Sequence, residues 1–292
     1  MTTVYTATST GRMGTLHEWT VPTTGDYVVE AWGAQGGFAW LYQTSTVNPG
    51  GKPAKVEGVL SLTAGHVIQI LVGQKGVDNP IDTRAGGGGG STVIYNSTTS
   101  ELLLVAGAGG GAGGYQELDN KHAPASANGN AGTRNDAGAG GTGGHGGGNG
   151  NHSGGGSGWL SNGSSGNAEG GFRFLEGGSG GKCYNGDDDD PSTGSTNGKN
   201  GGYGGGGGAY AGGGGGGGYS GGGGGGWSYS GDGGGGGSWC VDTNATITAG
   251  TSTDTPDLDG HGYVAITPPP HMWVKVAGVW RPVPEVHVWP VT

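Results

Sequence analysis

Basic residues are scarce in this chain. Its 292 residues include 12 lysines and arginines against 22 aspartates and glutamates, which gives a formal net charge of −10. A protein that follows nucleic-acid phosphates needs clustered positive charge. We therefore expect no nucleic-acid partner.

Long apolar runs and cysteines are also few. The first twenty residues lack the apolar segment of a signal peptide, and no run approaches the ~18 apolar residues of a membrane span. We expect no export signal and no membrane insertion. Two cysteines, Cys183 and Cys240, are too few for a structural zinc site or a disulfide scaffold. Either they form one disulfide that brackets the glycine-rich segment, or they stay free.

Glycine, by contrast, is abundant, with 79 glycines beside 13 prolines. Such a composition is usual in disordered chains, but here the glycines form uninterrupted blocks. The blocks cover residues 204–208, 212–218, 221–226 and 233–237. Aromatic residues interrupt or flank them at Tyr210, Tyr219, Trp227, Tyr229 and Trp239. A flexible linker gains nothing from aromatic residues at each interruption, so we expect the blocks to be ordered.

Extended glycine chains can form a packed structure. A polyglycine-II helix has three residues per turn and no internal hydrogen bonds, so its N–H and C=O groups point outward. Neighbouring helices can satisfy these groups, and only glycine lets backbones approach on every side. We predict a bundle of polyglycine-II helices, with the aromatic side chains at its ends.

The remaining sequence has the period-two alternation of half-buried strands. Strand-like runs lie at residues 16–21, 26–32, 55–62, 66–72, 91–95, 102–106, 245–248 and 262–266. No helical apolar stripe is present, so an all-β jelly-roll sandwich is expected. We divide the chain into sandwich strands (1–108), a glycine-rich insertion (109–240), the last sandwich strands (241–267) and a tail (268–292).

Several motifs recur in the order seen in one known family. They are WTVP at 19–22, GDY at 25–27, AWGAQGG at 31–37, ILVGQKG at 70–76, GGGGGST at 86–92 and LVAGAGGG at 104–111. Residues 15–267 thereby resemble the glycine-rich extracellular domain of anaplastic lymphoma kinase and leukocyte tyrosine kinase. The resemblance implies a TNF-like sandwich with an inserted polyglycine-II bundle. No transmembrane segment or kinase domain accompanies it in this sequence, so we do not expect a receptor.

The C-terminal segment resembles a different group of proteins. Residues 274–283, VKVAGVWRPV, are similar to a short tail common in bacteriophage tail and minor tail proteins. Valines alternate around Ala277-Gly278, which predicts a two-stranded ribbon. We expect the tail to serve assembly through Trp273, Trp280 and Trp289. The expected partners are other tail proteins and further copies of this chain, for example in a trimer.

Residues with chemical potential are scattered. Asp187–Asp190 are expected to be a solvated acidic loop, and His145 and His152 lack metal-ligand spacing. Glu169 and Glu176 show no sign of the cleft that glycoside hydrolysis requires. We expect no catalytic residue, metal or cofactor.

Aromatic residues in the insertion are the better candidates for binding. Trp159, Phe172, Phe174 and Tyr184 lie among small polar residues, a mixture typical of recognition loops. The sequence favours a structural or adhesion protein of a phage tail tip that contacts a host-envelope glycan or receptor. Alternatives are a secreted or cell-surface glycine-rich adhesive protein and, less favoured, an enzyme that degrades envelope glycans.

Overall fold

A computed structural model describes most of the chain. The described residues are 2–41, 44, 46–80, 84–115, 119–184, 198–227, 230–250, 256 and 259–268, together with the backbone of 273–276 and 279–282. Their regular secondary structure is β, apart from two single-turn 3-10 helices at Asp119–Lys121 and Phe174–Glu176. The strands are β1 (Thr3–Thr6), β2 (His17–Thr20), β3 (Gly25–Trp32), β4 (Ala39–Trp40), β5 (Val47–Asn48), β6 (Lys55–Leu62), β7 (Val67–Leu71), β8 (Thr92–Asn96), β9 (Glu101–Ala106), β10 (Trp239–Cys240), β11 (Thr246–Thr248), β12 (Tyr263–Thr267), β13 (Trp273–Val276) and β14 (Val279–Pro282).

Two five-stranded antiparallel sheets form the centre of the protein. Sheet one has the order β1-β12-β3-β6-β11, and sheet two has the order β10-β9-β8-β7-β2. Two separate hairpins, β4-β5 and β13-β14, complete the described strands. The all-β prediction is therefore confirmed.

The two sheets share one hydrophobic core. In β3, Tyr27, Val29 and Ala31 are buried while Val28 is exposed, because successive side chains of a strand point to opposite faces. Buried residues of both sheets belong to the same cluster: Val29, Val56, Leu60, Val264 and Ile266 from sheet one, and Ile68, Ile70, Ile94, Leu104 and Ala106 from sheet two. Burial of these faces holds the sheets together.

All eight predicted strands are present, with ends shifted by at most one residue. The predicted C-terminal ribbon is present too, as the antiparallel pair β13-β14 with Val276 opposite Val279. Strand β1 was not predicted, because four residues with two threonines give too short an alternation. It pairs with β12, where Tyr5 lies opposite Val264.

The glycine blocks are ordered by hydrogen bonds between backbones. Along residues 213–218, successive N–H groups donate to three neighbouring segments in turn. Gly213 and Gly216 donate to Gly231 and Gly234, Gly214 and Gly217 to Gly86 and Gly89, and Gly215 and Gly218 to Gly154 and Ser157. Residues three apart in this segment therefore donate to the same neighbouring segment.

The carbonyl groups of the same segment are used in the same way. Those of Gly213 and Gly216 accept from Gly225 and Gly222, those of Gly214 and Gly217 accept from Gly111 and Ala108, and that of Gly215 accepts from Gly207. Segment 212–218 is thus surrounded by six others. We call residues 86–90, 107–113, 129–158, 180–182, 198–208, 212–218, 221–226 and 231–237 the glycine array.

The array leaves no space for side chains at its centre. A Cβ atom added to Gly215 would lie 2.1 Å from the carbonyl oxygen of Gly222, and one added to Gly222 would lie 2.0 Å from that of Gly234. Both distances are far below van der Waals contact, and the obstructing atoms are backbone atoms that are themselves hydrogen-bonded. Glycine is therefore required here by close approach.

A buried polar network fixes one side of the array to the β4-β5 hairpin. Lys121 and Asp232 are fully buried. The ammonium group of Lys121 donates to Asn48 Oδ1 (2.6 Å), and Asn48 Nδ2 donates to Asp232 Oδ1 (3.0 Å) and to the Gly113 carbonyl (2.8 Å). Burial of a charge is costly unless hydrogen bonds compensate it, so these groups depend on one another.

Within the described part of the chain, no helix has the length and apolar character needed to span a membrane.

We predict that Gly215→Ala destabilises the protein by at least about 3 kcal/mol, because neighbouring backbones on several sides must move. Gly148→Ala is a matched control inside the array, since its added Cβ would come no closer than 3.1 Å to another atom, the Ala139 nitrogen. Chemical and thermal denaturation of both variants measure the difference. Equal stability of the two would contradict a close-packed array.

Candidate functional site

The glycine array has two ends that differ in their surroundings. At the near end, its segments run into sheet two: Gly107 follows the last residue of β9, and Ser91 precedes the first residue of β8. The far end is the opposite one, where Gly213 pairs with Gly225 and Gly111 pairs with Gly214. Aromatic residues lie at both ends.

Two predicted binding residues, Trp159 and Phe174, lie together at the near end. Their rings are stacked with centroids 5.9 Å apart, and Tyr95 of β8 contacts both, at 5.7 and 5.5 Å. They pack on a cluster of buried residues that includes Leu71, Val93, Val105 and Tyr203. Both rings therefore fill space between the array and sheet two.

Phe172 is half-buried on the same stretch of chain, and its N–H donates to the Ser179 carbonyl (2.9 Å). Tyr184, the fourth predicted residue, lies elsewhere. Its ring contacts that of Tyr210 with centroids 4.6 Å apart. The structure therefore does not gather the four predicted residues into one site.

A continuous aromatic cluster occupies the far end. His152 contacts Tyr210 (5.3 Å between centroids) and stacks on Trp227 (5.1 Å, planes inclined by 25°). Tyr184 extends the cluster on the other side of Tyr210, and the Arg84 guanidinium lies 4.7 Å from the Tyr210 ring centroid. We call Arg84, His152, Tyr184, Tyr210 and Trp227 the far-end cluster.

Chain reversals explain why these residues meet. Tyr210 lies between the blocks 204–208 and 212–218, and Trp227 follows the block 221–226. A chain that leaves the array must turn, and at a turn a side chain no longer has a neighbouring backbone against it. Bulky residues are therefore admitted at the ends of the array and excluded from its middle.

The far-end cluster combines exposed ring surface with oriented polar groups. Trp227 is 57% exposed, the highest value among the large hydrophobic side chains that the structure describes as exposed. His152 Nδ1 is 3.2 Å from Asn167 Nδ2. A neutral ring that accepts this hydrogen bond at Nδ1 carries its proton on Nε2. Rigid rings with an N–H donor at their edge suit a ligand with both apolar faces and hydroxyl groups.

The sequence placed Tyr210 and Trp227 at the ends of the array but did not assign them to binding, and it showed for His152 only a lack of metal-ligand spacing. The informative signal was position. Each of the three lies within two residues of a glycine of the array, but the end of the array at which it lies depends on segment direction and so on the fold.

Glu169 and Glu176, the two acids considered for the glycan-degrading alternative, each accept hydrogen bonds from neighbouring residues. Glu176 accepts from Asn162 Nδ2 (2.7 Å) and Arg173 Nε (2.8 Å), and the Asn162 hydrogen bond, followed by that of Arg173, lowers the pKa of Glu176. A carboxyl group with a lowered pKa stays ionised and is a poor proton donor at neutral pH. Glu169 Oε2 accepts the Lys182 N–H at 3.2 Å.

Neither of the two cysteines forms a disulfide. Cys240 is in β10, opposite Leu104, whereas Cys183 is buried beside Gly198, where its N–H bonds to Asn200 Oδ1 (2.9 Å). A disulfide needs the two Cβ atoms within about 4.5 Å, and these cysteines belong to different parts of the fold. The alternative of a bridging disulfide is therefore not realised in this structure.

Other expectations fall partly outside the described residues. Asp187–Asp190 and Trp289 are outside them, while Trp273 and Trp280 lie in the backbone-described strands β13 and β14. In the described part of the chain, no group of three or more His, Cys, Asp or Glu side chains could hold a metal ion.

Comparison with known proteins adds no relationship: no protein-family model matches the chain, and no curated protein matches it.

We predict that alanine substitutions at the two ends change the free energy of unfolding by different amounts. Trp159→Ala should lower the free energy of unfolding by about 2 kcal/mol, because it removes a half-buried ring from the contact with Tyr95 and Phe174. Trp227→Ala should change it by less than about 0.5 kcal/mol, because that ring is mostly exposed. Urea denaturation of both variants measures this, and a greater loss in Trp227→Ala would show that the far-end cluster serves stability.

Proposed function

We propose that this protein is a bacteriophage tail-tip component that attaches to a glycan of the host envelope through the far-end cluster. The observation that carries the proposal is the cluster itself, in which an exposed tryptophan and three further rings lie at the end of a rigid array away from the sheets. Side chains fixed in advance lose little entropy on binding.

The finer description of the fold belongs to the same proposal. We assign the glycine array to polyglycine-II helices, because a hydrogen-bond pattern that repeats every three residues matches their three residues per turn. We assign the sheets to a TNF-like jelly roll. Sheet one places β12, from late in the chain, between β1 and β3, and such crossings are part of Greek-key topologies.

Assembly is assigned to the C-terminal tail, residues 268–292. Its described part is a hairpin of two four-residue strands. A hairpin of this size is at best marginally stable alone in water, so it requires a partner surface, either another tail protein or a second copy of this chain. The similarity of residues 274–283 to phage tail proteins supports a virion as the place of assembly.

The attachment role is tested with fluorescently labelled protein on host cells. We expect Trp227→Ala to weaken binding at least about tenfold, as aromatic anchors do at interface centres. The control is Leu175→Ala, which removes a similarly exposed apolar side chain (54%) near the other end of the array. Periodate oxidation of the cell-surface sugars should abolish binding of the parent protein. Equal binding of the Trp227 variant and the parent would refute the assignment.

The assembly role is tested by truncation after Thr267. The shortened chain retains every strand of both sheets, so its thermal unfolding should match that of the full chain. We expect it to be missing from purified virions. Incorporation at the normal level would contradict the assignment, and would place the assembly contact elsewhere on the chain.

A further inference from the structure

A groove of about 480 Å³ lies along one flank of the protein. Among its lining residues are Phe38, Lys75, Val77, Asp78, Pro80 and His261. Its volume is within the range of small-molecule sites. We call it the side groove, and it shares no residue with the far-end cluster.

Two charged groups in the side groove are held in place by each other and by the backbone. Lys75 Nζ and Asp78 Oδ2 form an ion pair at 2.7 Å, and Asp78 Oδ1 accepts the Phe38 N–H at 2.9 Å. Both side chains keep part of their surface exposed, 23% and 31%. Each carboxylate oxygen can accept a second hydrogen bond, and the ammonium has three protons to donate. The pair thus offers both donors and acceptors to a ligand.

The backbone beneath this pair is fixed by contacts from distant parts of the chain. The Lys75 N–H donates to Nδ1 of His261 (3.1 Å), a residue that is 8% exposed. Gly76 and Asn79 donate their N–H groups to the Gln35 and Phe38 carbonyls at 3.0 and 2.9 Å. The groove is therefore formed before any ligand arrives, which reduces the entropy lost on binding.

Apolar side chains form another part of the side-groove lining. The Phe38 ring is half-buried with the Lys75 ammonium 5.7 Å from its centroid, and Val77 and Pro80 lie in the same lining. A ligand that fits needs an apolar face for these side chains and hydroxyl groups for Lys75 and Asp78. Pyranose sugars have this combination, with a face of C–H bonds and a rim of hydroxyls.

A third charged residue, Asp259, also lines the side groove. We propose that the side groove is a second binding site, which takes one pyranose residue. The proposal does not depend on the function of the far-end cluster.

The chain contains three phenylalanines, Phe38, Phe172 and Phe174, so a fluorine label on phenylalanine can report on the side groove. The full chain labelled with 4-fluorophenylalanine gives three fluorine NMR signals, and Phe38→Leu identifies that of Phe38. The probes are methyl α-D-glucopyranoside, methyl α-D-galactopyranoside and N-acetylglucosamine, each titrated to tens of millimolar. At least one should shift the Phe38 signal while the other two signals stay in place.

Variants show whether the named groups make the contact. Asp78→Asn keeps an oxygen for the Phe38 N–H but removes the charge, and should weaken sugar binding about tenfold. The control is Glu18→Gln on β2, and Trp227→Ala should also leave the Phe38 shift unchanged. The proposal is overturned if none of the three sugars shifts the Phe38 signal, or if Asp78→Asn binds as tightly as the parent.

Discussion

The structure depends on one requirement: every N–H and C=O in the glycine array must find a partner on another segment. A helix or a sheet strand has partners on itself or on two sides, whereas segment 212–218 is bonded to six neighbours. Glycine loses more conformational freedom on folding than any other residue, and it buries no side chain in return. Hydrogen bonds on all sides, together with anchoring to the sheets, offset this cost.

Anchoring comes from the way the array enters sheet two. Glycine segments lie within one residue of β8, β9 and β10, so the sheet sets their spacing and direction at the near end. Trp159, Phe174 and Tyr95 fill the space between the two parts. The buried network of Lys121, Asn48 and Asp232 fastens the array on its flank. Few conventional side chains are thereby sufficient to order a large glycine region.

The close packing of the glycine array also determines where binding side chains can lie. Side chains are excluded from the interior of the array, so they accumulate at its ends and along its flank. The far-end cluster collects rings from separate chain reversals, and the side groove forms where segments around Phe38 and Lys75 run side by side against His261. In each case the groups are supported by backbone that has little freedom to move, which favours defined geometry at the surface.

The sequence alone determined most of the elements of this protein. Period-two alternation located eight strands, valine alternation around Ala277-Gly278 located the C-terminal ribbon, and uninterrupted glycine blocks implied ordered segments, because these patterns depend only on neighbours along the chain. Tertiary structure decided which elements meet. It placed Trp159 and Phe174 against sheet two but Tyr184 at the far end with His152 and Trp227, and it left Cys183 and Cys240 apart. Segment direction and pairing set those neighbours, and in a chain of near-identical glycine blocks no local pattern distinguishes one pairing from another.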